Sequence, residues 1–246
     1  MNKYKRVLNG SWRVLTGILC FAALNGAAGG VASVRCVQGN IVYTETAGVV
    51  AQLTTSGRDS QALLHPDGEW IYFVRSFAGK MVGEKYTPPY GMKVKEGVLC
   101  EEIWRIRKDG TKETRLYRQD HGAIPGPDTA YVVGWIIHLQ FSPKGDKVFF
   151  ETPESATCAG LRVMNADGSR ERLLGEGSET RIILSDRSER FSGYIVTSQH
   201  RYYPSRGSYD LFFLFTPDLK EIAPIGPDLK SFTENEGVKY QPIGQD

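Results

Sequence analysis

Glu102-Ile-Trp-Arg-Ile-Arg-Lys-Asp109-Gly110-Thr-Lys-Glu-Thr-Arg-Leu116 aligns without a gap on Gly160-Leu-Arg-Val-Met-Asn-Ala-Asp167-Gly168-Ser-Arg-Glu-Arg-Leu-Leu174, 58 positions further on (Asp109 to Asp167). Each copy reads as an alternating strand, an Asp-Gly turn and a second short strand. Asp-Gly suits a tight hairpin because glycine takes positive φ without a steric penalty. A repeat at this spacing is the signature of a modular architecture, so it is read before anything else.

A second pair precedes the first. His65-Pro-Asp-Gly-Glu-Trp-Ile-Tyr-Phe73 matches Ser142-Pro-Lys-Gly-Asp-Lys-Val-Phe-Phe150. Proline fixes φ for a turn, glycine closes it, and a β-branched and aromatic strand follows. An apolar segment stands before each turn, at Gln61–Leu64 and Trp135–Phe141. One unit is therefore strand, Pro-x-Gly turn, strand, loop, strand, Asp-Gly turn, strand. Four antiparallel strands per unit is the blade of a β-propeller.

A worn third copy runs through Ile182–Leu184, Tyr194–Thr197 and Asp210–Phe215, with Pro217-Asp218 near the Asp-Gly position and the turn glycines missing. At the N-terminal side, Asn40–Tyr43 and Val49–Thr54 read as the last two strands of a unit. At the other end, Phe232–Gly237 resembles the opening Leu53–Gly57, and Val238–Ile243 reads as a first strand. The expected fold is all-β: a small propeller of about four four-stranded blades, closed by one blade shared between N- and C-terminal strands. Closure would remove exposed sheet edges. The shared blade is one strand short, and an open arc completed by a partner is the alternative.

The elements Pro-Asp-Gly-Glu-Trp-Ile-Tyr-Phe and Met-Asn-Ala-Asp-Gly-Ser-Arg-Glu-Arg-Leu-Leu resemble the repeat of the TolB-like β-propeller family. The resemblance spans roughly residues 36–245. It departs in lacking the α/β domain that precedes the propeller in TolB, in having fewer than six repeats, and in carrying His65 where serine is usual. It implies an exported binding or scaffold protein and does not extend to TolB's own partners.

Residues 1–32 read as a cleaved secretory signal. Lys3, Lys5, Arg6 and Arg13 form the positive region, Val14–Leu24 the apolar run, and Gly30-Val-Ala32 the small-x-small site. Asn25 and the glycines at 17, 26, 29 and 30 make the segment a poor membrane-spanning helix. Cys20 follows Gly17-Ile-Leu19, without the small residue a lipidated cysteine wants. Residues 33–246 are then the propeller domain, periplasmic or secreted, touching the membrane only through the signal before cleavage. Removing four of the 30 basic residues and none of the 28 acidic ones leaves 26 against 28. The positive charge belongs to the signal, and nucleic acid is not an expected partner.

No catalytic signature is present: no Gly-x-Ser-x-Gly, His-Glu-x-x-His, P-loop or Asp-rich calcium loop. No cofactor or metal is expected, and Asp67, Asp109, Asp146 and Asp167 are read as turn residues. Of the four histidines, His138 lies on an inner strand. It either faces the axis or, the favoured reading, packs between blades with a hydrogen bond. His65 serves its turn, and His121 and His200 are loop residues without an evident partner. Of Cys36, Cys100 and Cys158, the last two share one repeat position, and the long loop could carry Cys100 to Cys158 as a disulfide.

The units differ most between their second and third strands. From Phe73 to Ile103 is 30 positions, from Phe150 to Leu161 only 11. The insertion carries Lys85, Tyr86, Tyr90 and Lys93, and the third unit has its own long loop with Arg201, Tyr202, Tyr203 and Arg206. Equivalent loops emerge on one face, so two aromatic, basic loops should crown one end of the disc. Loops on a rigid scaffold are where binding usually resides. The expected function is a non-enzymatic binding or scaffold propeller with a protein or cell-envelope polymer as partner. The competing class is a propeller lyase or hydrolase for acidic glycans.

Overall fold

The computed structural model describes residues 31–79, 98–118, 135–153, 159–203 and 207–244. They form four antiparallel sheets and one short helix. The first sheet holds β1 (Ser33–Val37), β2 (Asn40–Thr44) and β3 (Val50–Gln52). The second holds β4 (Asp59–Leu64), β5 (Trp70–Gly79), β6 (Val98–Arg107) and β7 (Thr114–Arg118). The third holds β8 (Ile137–Phe141), β9 (Lys147–Pro153), β10 (Ala159–Asn165) and β11 (Arg172–Glu176). The fourth holds β12 (Ser178–Ser185), β13 (Ile195–Tyr203), β14 (Gly207–Phe215) and β15 (Glu221–Gly226), followed by α1 (Lys230–Glu236) and β16 (Lys239–Tyr240). Each sheet is a meander of the kind the repeat predicts, and the worn third copy is a complete blade.

The turns explain why the repeats read as they do. Gly68, Gly110, Gly145 and Gly168 all have positive φ. In the worn copy, Leu219 takes the place of glycine with φ 63°, held by Thr216, whose hydroxyl accepts from the Lys220 N–H at 3.0 Å. The other worn turn is rebuilt around Asp186, whose carboxylate accepts from the backbone of Ser188, Arg190 and Phe191 and from the Ser188 hydroxyl. Burial would raise this acid, but those donors win and hold it down to about 2.

The sheets pack face to face in chain order. Ile41, Tyr43, Ile71, Phe73 and Ile106 join the first to the second. Tyr72, Val74, Ile103, Leu139, Phe150 and Met164 join the second to the third, and Phe149, Leu161, Ile182, Ile195 and Phe213 join the third to the fourth. A side chain such as Phe150, wholly buried, contributes about 1.5–3 kcal/mol by leaving water. His65 departs from serine because it links two blades. Its Nε2 lies 2.9 Å from the Gly145 carbonyl oxygen, and its ring meets Phe141 edge-on at 4.9 Å. Tyr72 Oη donates to the Ala166 carbonyl at 2.5 Å across the same seam.

The expected shared blade does not form. β16 pairs with β12, not with β1–β3, and among the described residues no core cluster joins the fourth sheet to the first. The reason is local. The outer face of the fourth sheet has no next blade, so Ile183, Val196 and Leu214 are covered by Leu229, Phe232, Val238 and Tyr240 instead. The stretch expected as a blade-opening loop is thereby α1, ended by Gly237 at φ 62°. The first sheet gains β1, turned into β2 by Gln38 and Gly39, both at positive φ, and stays three-stranded. The four blades form an arc whose terminal sheets are not joined by strand pairing.

The inner strands carry a recurrent irregularity. β4, β8 and β12 each bulge, with Gln61, His138 and Glu179 at φ of 50°, 55° and 54°. Bulges bend a strand and leave groups unpaired. Two glutamines use them: Gln61 spans to the Ile136 carbonyl and Leu139 N–H, and Gln140 donates to the Thr180 carbonyl and accepts from Ile182 N–H. The chain end then crosses all three strands. Gln241 N–H donates to the Ile182 carbonyl at 2.8 Å, Gly244 N–H to the Leu139 carbonyl at 2.9 Å, and Gly244 lies against the backbone of Gln61.

Candidate functional site

The two ends of the arc differ. β5, β9 and β13 all leave tight turns at one end and run to the other. At the turn end the blades touch, His65 on Gly145 and Gly193 against Pro143. At the other end two hairpins outrun their sheets. β13 pairs with β14 as far as Tyr203 and Gly207, but β12 accompanies it only to Ser198 and β15 reaches only Phe212. β5 pairs with β6 out to Gly79 and Val98, while β4 stops at Arg75 and β7 at Glu102. The extra length seen in the sequence is thus partly strand, in the form of two ribbons.

A free two-stranded ribbon is marginal, and each is tied at its root. The Arg201 guanidinium lies 3.6 Å from the Phe213 ring centroid and donates to Gln199 and to Glu221 at 2.7 Å. His200 Nδ1 meets Asp210 Oδ1 at 2.8 Å across the strands, and its ring packs edge-on to Tyr202. The expectation of a partnerless loop histidine is corrected: the β13–β14 register puts His200 opposite Asp210. On the other ribbon Arg118 lies 4.3 Å over Phe77 and the Ser76 hydroxyl donates to Glu101.

Two tyrosines stand among the exposed residues of the β13–β14 ribbon, beside Ser208 and Asp210. Tyr202 is 80% exposed and Tyr209 42%. Arg201 is half-buried by its contacts. Of Tyr203 and Cys100 only the strand is described. Lys85, Tyr86, Tyr90, Lys93, Arg206, Cys158 and His121 lie outside the described residues.

Between the first three sheets at the ribbon end lies a cavity of about 480 Å³, with Asp59, Gln61, Glu101 and Trp135 in its wall. Its acids are committed to the frame. Asp59 accepts from Arg75 at 2.6 Å and from the Thr54 hydroxyl, and Glu101 accepts from Ile136 N–H. His138 lies at the β8 bulge with Nδ1 3.1 Å from Glu151 Oε2, and Glu151 Oε1 accepts from Thr180 N–H on the next blade. His138 thus sits beside Glu151 of its own blade, and Glu151 carries the contact on to the fourth sheet through Thr180. Among the described residues no group of three His, Cys, Asp or Glu side chains is placed to hold a metal.

No family model and no curated protein matches the chain. Solved structures do. An oligogalacturonate lyase in complex with manganese is 15% identical, with 75% of this chain and 58% of that one aligned at TM-score 0.33. TolB from Acinetobacter baumannii is 11% identical over 76% and 48%, at 0.32. A putative TolB from Agrobacterium tumefaciens is 11% identical over 80% and 79%, at 0.31. The chain spans about half the length of the first two. At these scores the likenesses carry no argument, and the architecture rests on the four sheets themselves.

Sequence reasoning missed Gln61, Gln140, Glu101, Glu151 and Asp210. The two glutamines and Glu151 occupy non-equivalent repeat positions, so no repeated letter marks them. Asp210 was within reach, since the register of a short hairpin brings it opposite His200.

Proposed function

We propose that the chain is an exported, non-enzymatic binding or scaffold propeller that meets a protein or envelope polymer with its ribbon end. Export rests on residues 1–32, whose charge and apolar pattern are those of a secretory signal. The binding reading rests on one observation above the rest: the β13–β14 ribbon projects beyond its blade, is braced by Arg201 on Phe213, and leaves Tyr202 facing solvent. A braced ribbon loses little entropy on binding, and tyrosine supplies contact area with few rotors. Lys85, Tyr86, Tyr90, Lys93, Tyr203 and Arg206 are proposed to complete the face.

The test places a photo-reactive phenylalanine analogue at Tyr202, and as control at Ile222, which is also exposed but lies on β15. Adducts in the native envelope from position 202, absent from 222 and weakened by Tyr209→Ala, support the reading. Equal labelling from both sites refutes it. The glycan-cleaving reading has one observation in its favour, the His138–Glu151 pair at the inner strands. A metal that copurifies with the protein and is lost in His138→Ala would move the assignment to the enzyme.

A further inference from the structure

The outer face of the fourth sheet is covered in its own way. The clusters between successive blades are sheet against sheet. Here Ile183, Val196 and Leu214 meet Val238 and Tyr240 from the chain end, and Leu229 and Phe232 from α1 and the residue before it. α1 has seven residues and none of them is fully buried. A helix this short has little stability of its own. Its charges also oppose the helix dipole: Lys230 stands in the first turn, Glu234 and Glu236 in the last. Lys230 precedes Glu234 by four positions, the weaker order for such a pair.

The fastenings of α1 lie mostly at its C-terminal end. The Glu236 carbonyl accepts from Arg187 N–H at 2.8 Å, and Arg190 meets the Glu236 carboxylate at 3.4 Å in an exposed pair, which contributes little. The Thr233 hydroxyl lies 3.0 Å from Tyr240 Oη. At the other end Asp228 accepts from Lys230 N–H at 2.9 Å, a bond within the segment itself. Beneath the helix a cavity of about 260 Å³ remains, with Leu214, Pro224 and Ile225 on the sheet side and Phe232 and Asn235 on the helix side. The segment is bounded by Gly226 at φ 141° and Gly237 at φ 62°, where glycine gives the backbone freedom to turn. The chain end beyond it is held separately, with Val238 buried and Gln241 N–H on the Ile182 carbonyl.

We propose that α1 is a lid. Residues 227–236 swing out about Gly226 and Gly237 by local unfolding, while the four blades and the chain end stay in place. The motion uncovers the apolar face of the fourth blade at Leu214 and Ile225. The lid is independent of the partner proposed at the ribbon end.

The test is native-state amide exchange at low denaturant. The amides of residues 233–236 are expected to exchange about 100-fold or more faster than those of Val196 and Leu214, with almost no dependence on denaturant. Lys230→Glu with Glu234→Lys, both exposed, corrects the dipole and the pair order and is expected to slow these amides about three-fold. A second measurement uses thiol labelling in a background with the native cysteines replaced by serine. Leu214→Cys, under the lid, is expected to react about ten-fold or more faster than Val163→Cys, which lies between the third and fourth sheets. The proposal is overturned if the α1 amides exchange as slowly as those of the blade or rise as steeply with denaturant. It is equally overturned if the charge exchange leaves them unaltered, or if the two cysteines react at one rate.

Discussion

Replacing Gly244 by alanine tests the way the chain end holds the inner strands. A methyl there would stand 2.4 Å from the Gln61 carbonyl oxygen, 2.9 Å from its carbon and 3.0 Å from its Cβ. Two of these are backbone atoms of the β4 bulge, which cannot rotate aside, so the tail must retreat by about 1 Å to reach ordinary contact distances. Retreat breaks the bond from Gly244 N–H to the Leu139 carbonyl. Leu139 is wholly buried, so its carbonyl loses a partner that water does not replace, at a cost of about 1–3 kcal/mol. For a domain of this size each kcal/mol moves the melting temperature by about 2–4 °C, so Gly244→Ala should melt on the order of 5 °C below the parent. Pro242→Ala, exposed in the same tail, should change stability by less than about 0.5 kcal/mol. Thermal and denaturant unfolding read both, and amide exchange at residue 244 should speed up only in the glycine variant. Gly244→Ala unfolding with the parent's midpoint would refute the reasoning.

Tyr72→Phe removes the 2.5 Å bond to Ala166 across the second seam; since Arg105 still donates to that carbonyl at 3.1 Å, the loss should be about 1 kcal/mol, seen as a melting shift of about 2–4 °C. Phe150→Ala empties a wholly buried site in the same seam and should cost about 3–5 kcal/mol by denaturant titration. Asp186 titrates at about 2 when folded, below its ordinary 3.8. Its stabilisation is therefore present above about pH 4 and lost as pH falls through about 2. The stability gap between the parent and Asp186→Asn should be constant from pH 7 to 5 and shrink below pH 4; a gap that is unchanged at pH 2 would contradict the assigned donors.

The blades were legible because their turns repeat in letters. Asp109-Gly110 and Asp167-Gly168 demand positive φ, and the strands around them alternate as half-buried strands do. The worn blade was legible from its apolar runs even though Leu219 and the Asp186 turn replaced the glycines. The ends were not legible, because Val238–Ile243 is apolar enough to fit any sheet edge. Its placement on β12 follows from the uncovered Ile183, Val196 and Leu214, a tertiary circumstance with no local signal. The ribbons were visible only as extra length; that Ser76–Gly79 and Gln199–Tyr203 continue as strand depends on cross-strand partners such as His200 with Asp210. The bulges at Gln61, His138 and Glu179 share a place but no residue type, so no pattern announces them.

The central claim is that the chain end lies across the inner strands of the arc and does not complete the first blade. A Gln61→Cys, Gly244→Cys pair in a background with the native cysteines replaced by serine tests it directly. The Cβ of residue 61 and the Cβ position of residue 244 stand 3.0 Å apart, and the retreat of about 1 Å that a side chain at 244 forces carries them to the roughly 3.5–4.5 Å of a disulfide. The account predicts that the pair oxidises in air to an intramolecular loop that runs faster on a non-reducing gel, while Val34→Cys, Gly244→Cys does not. A bond from residue 244 to residue 34 in the first sheet, with none to residue 61, would contradict it.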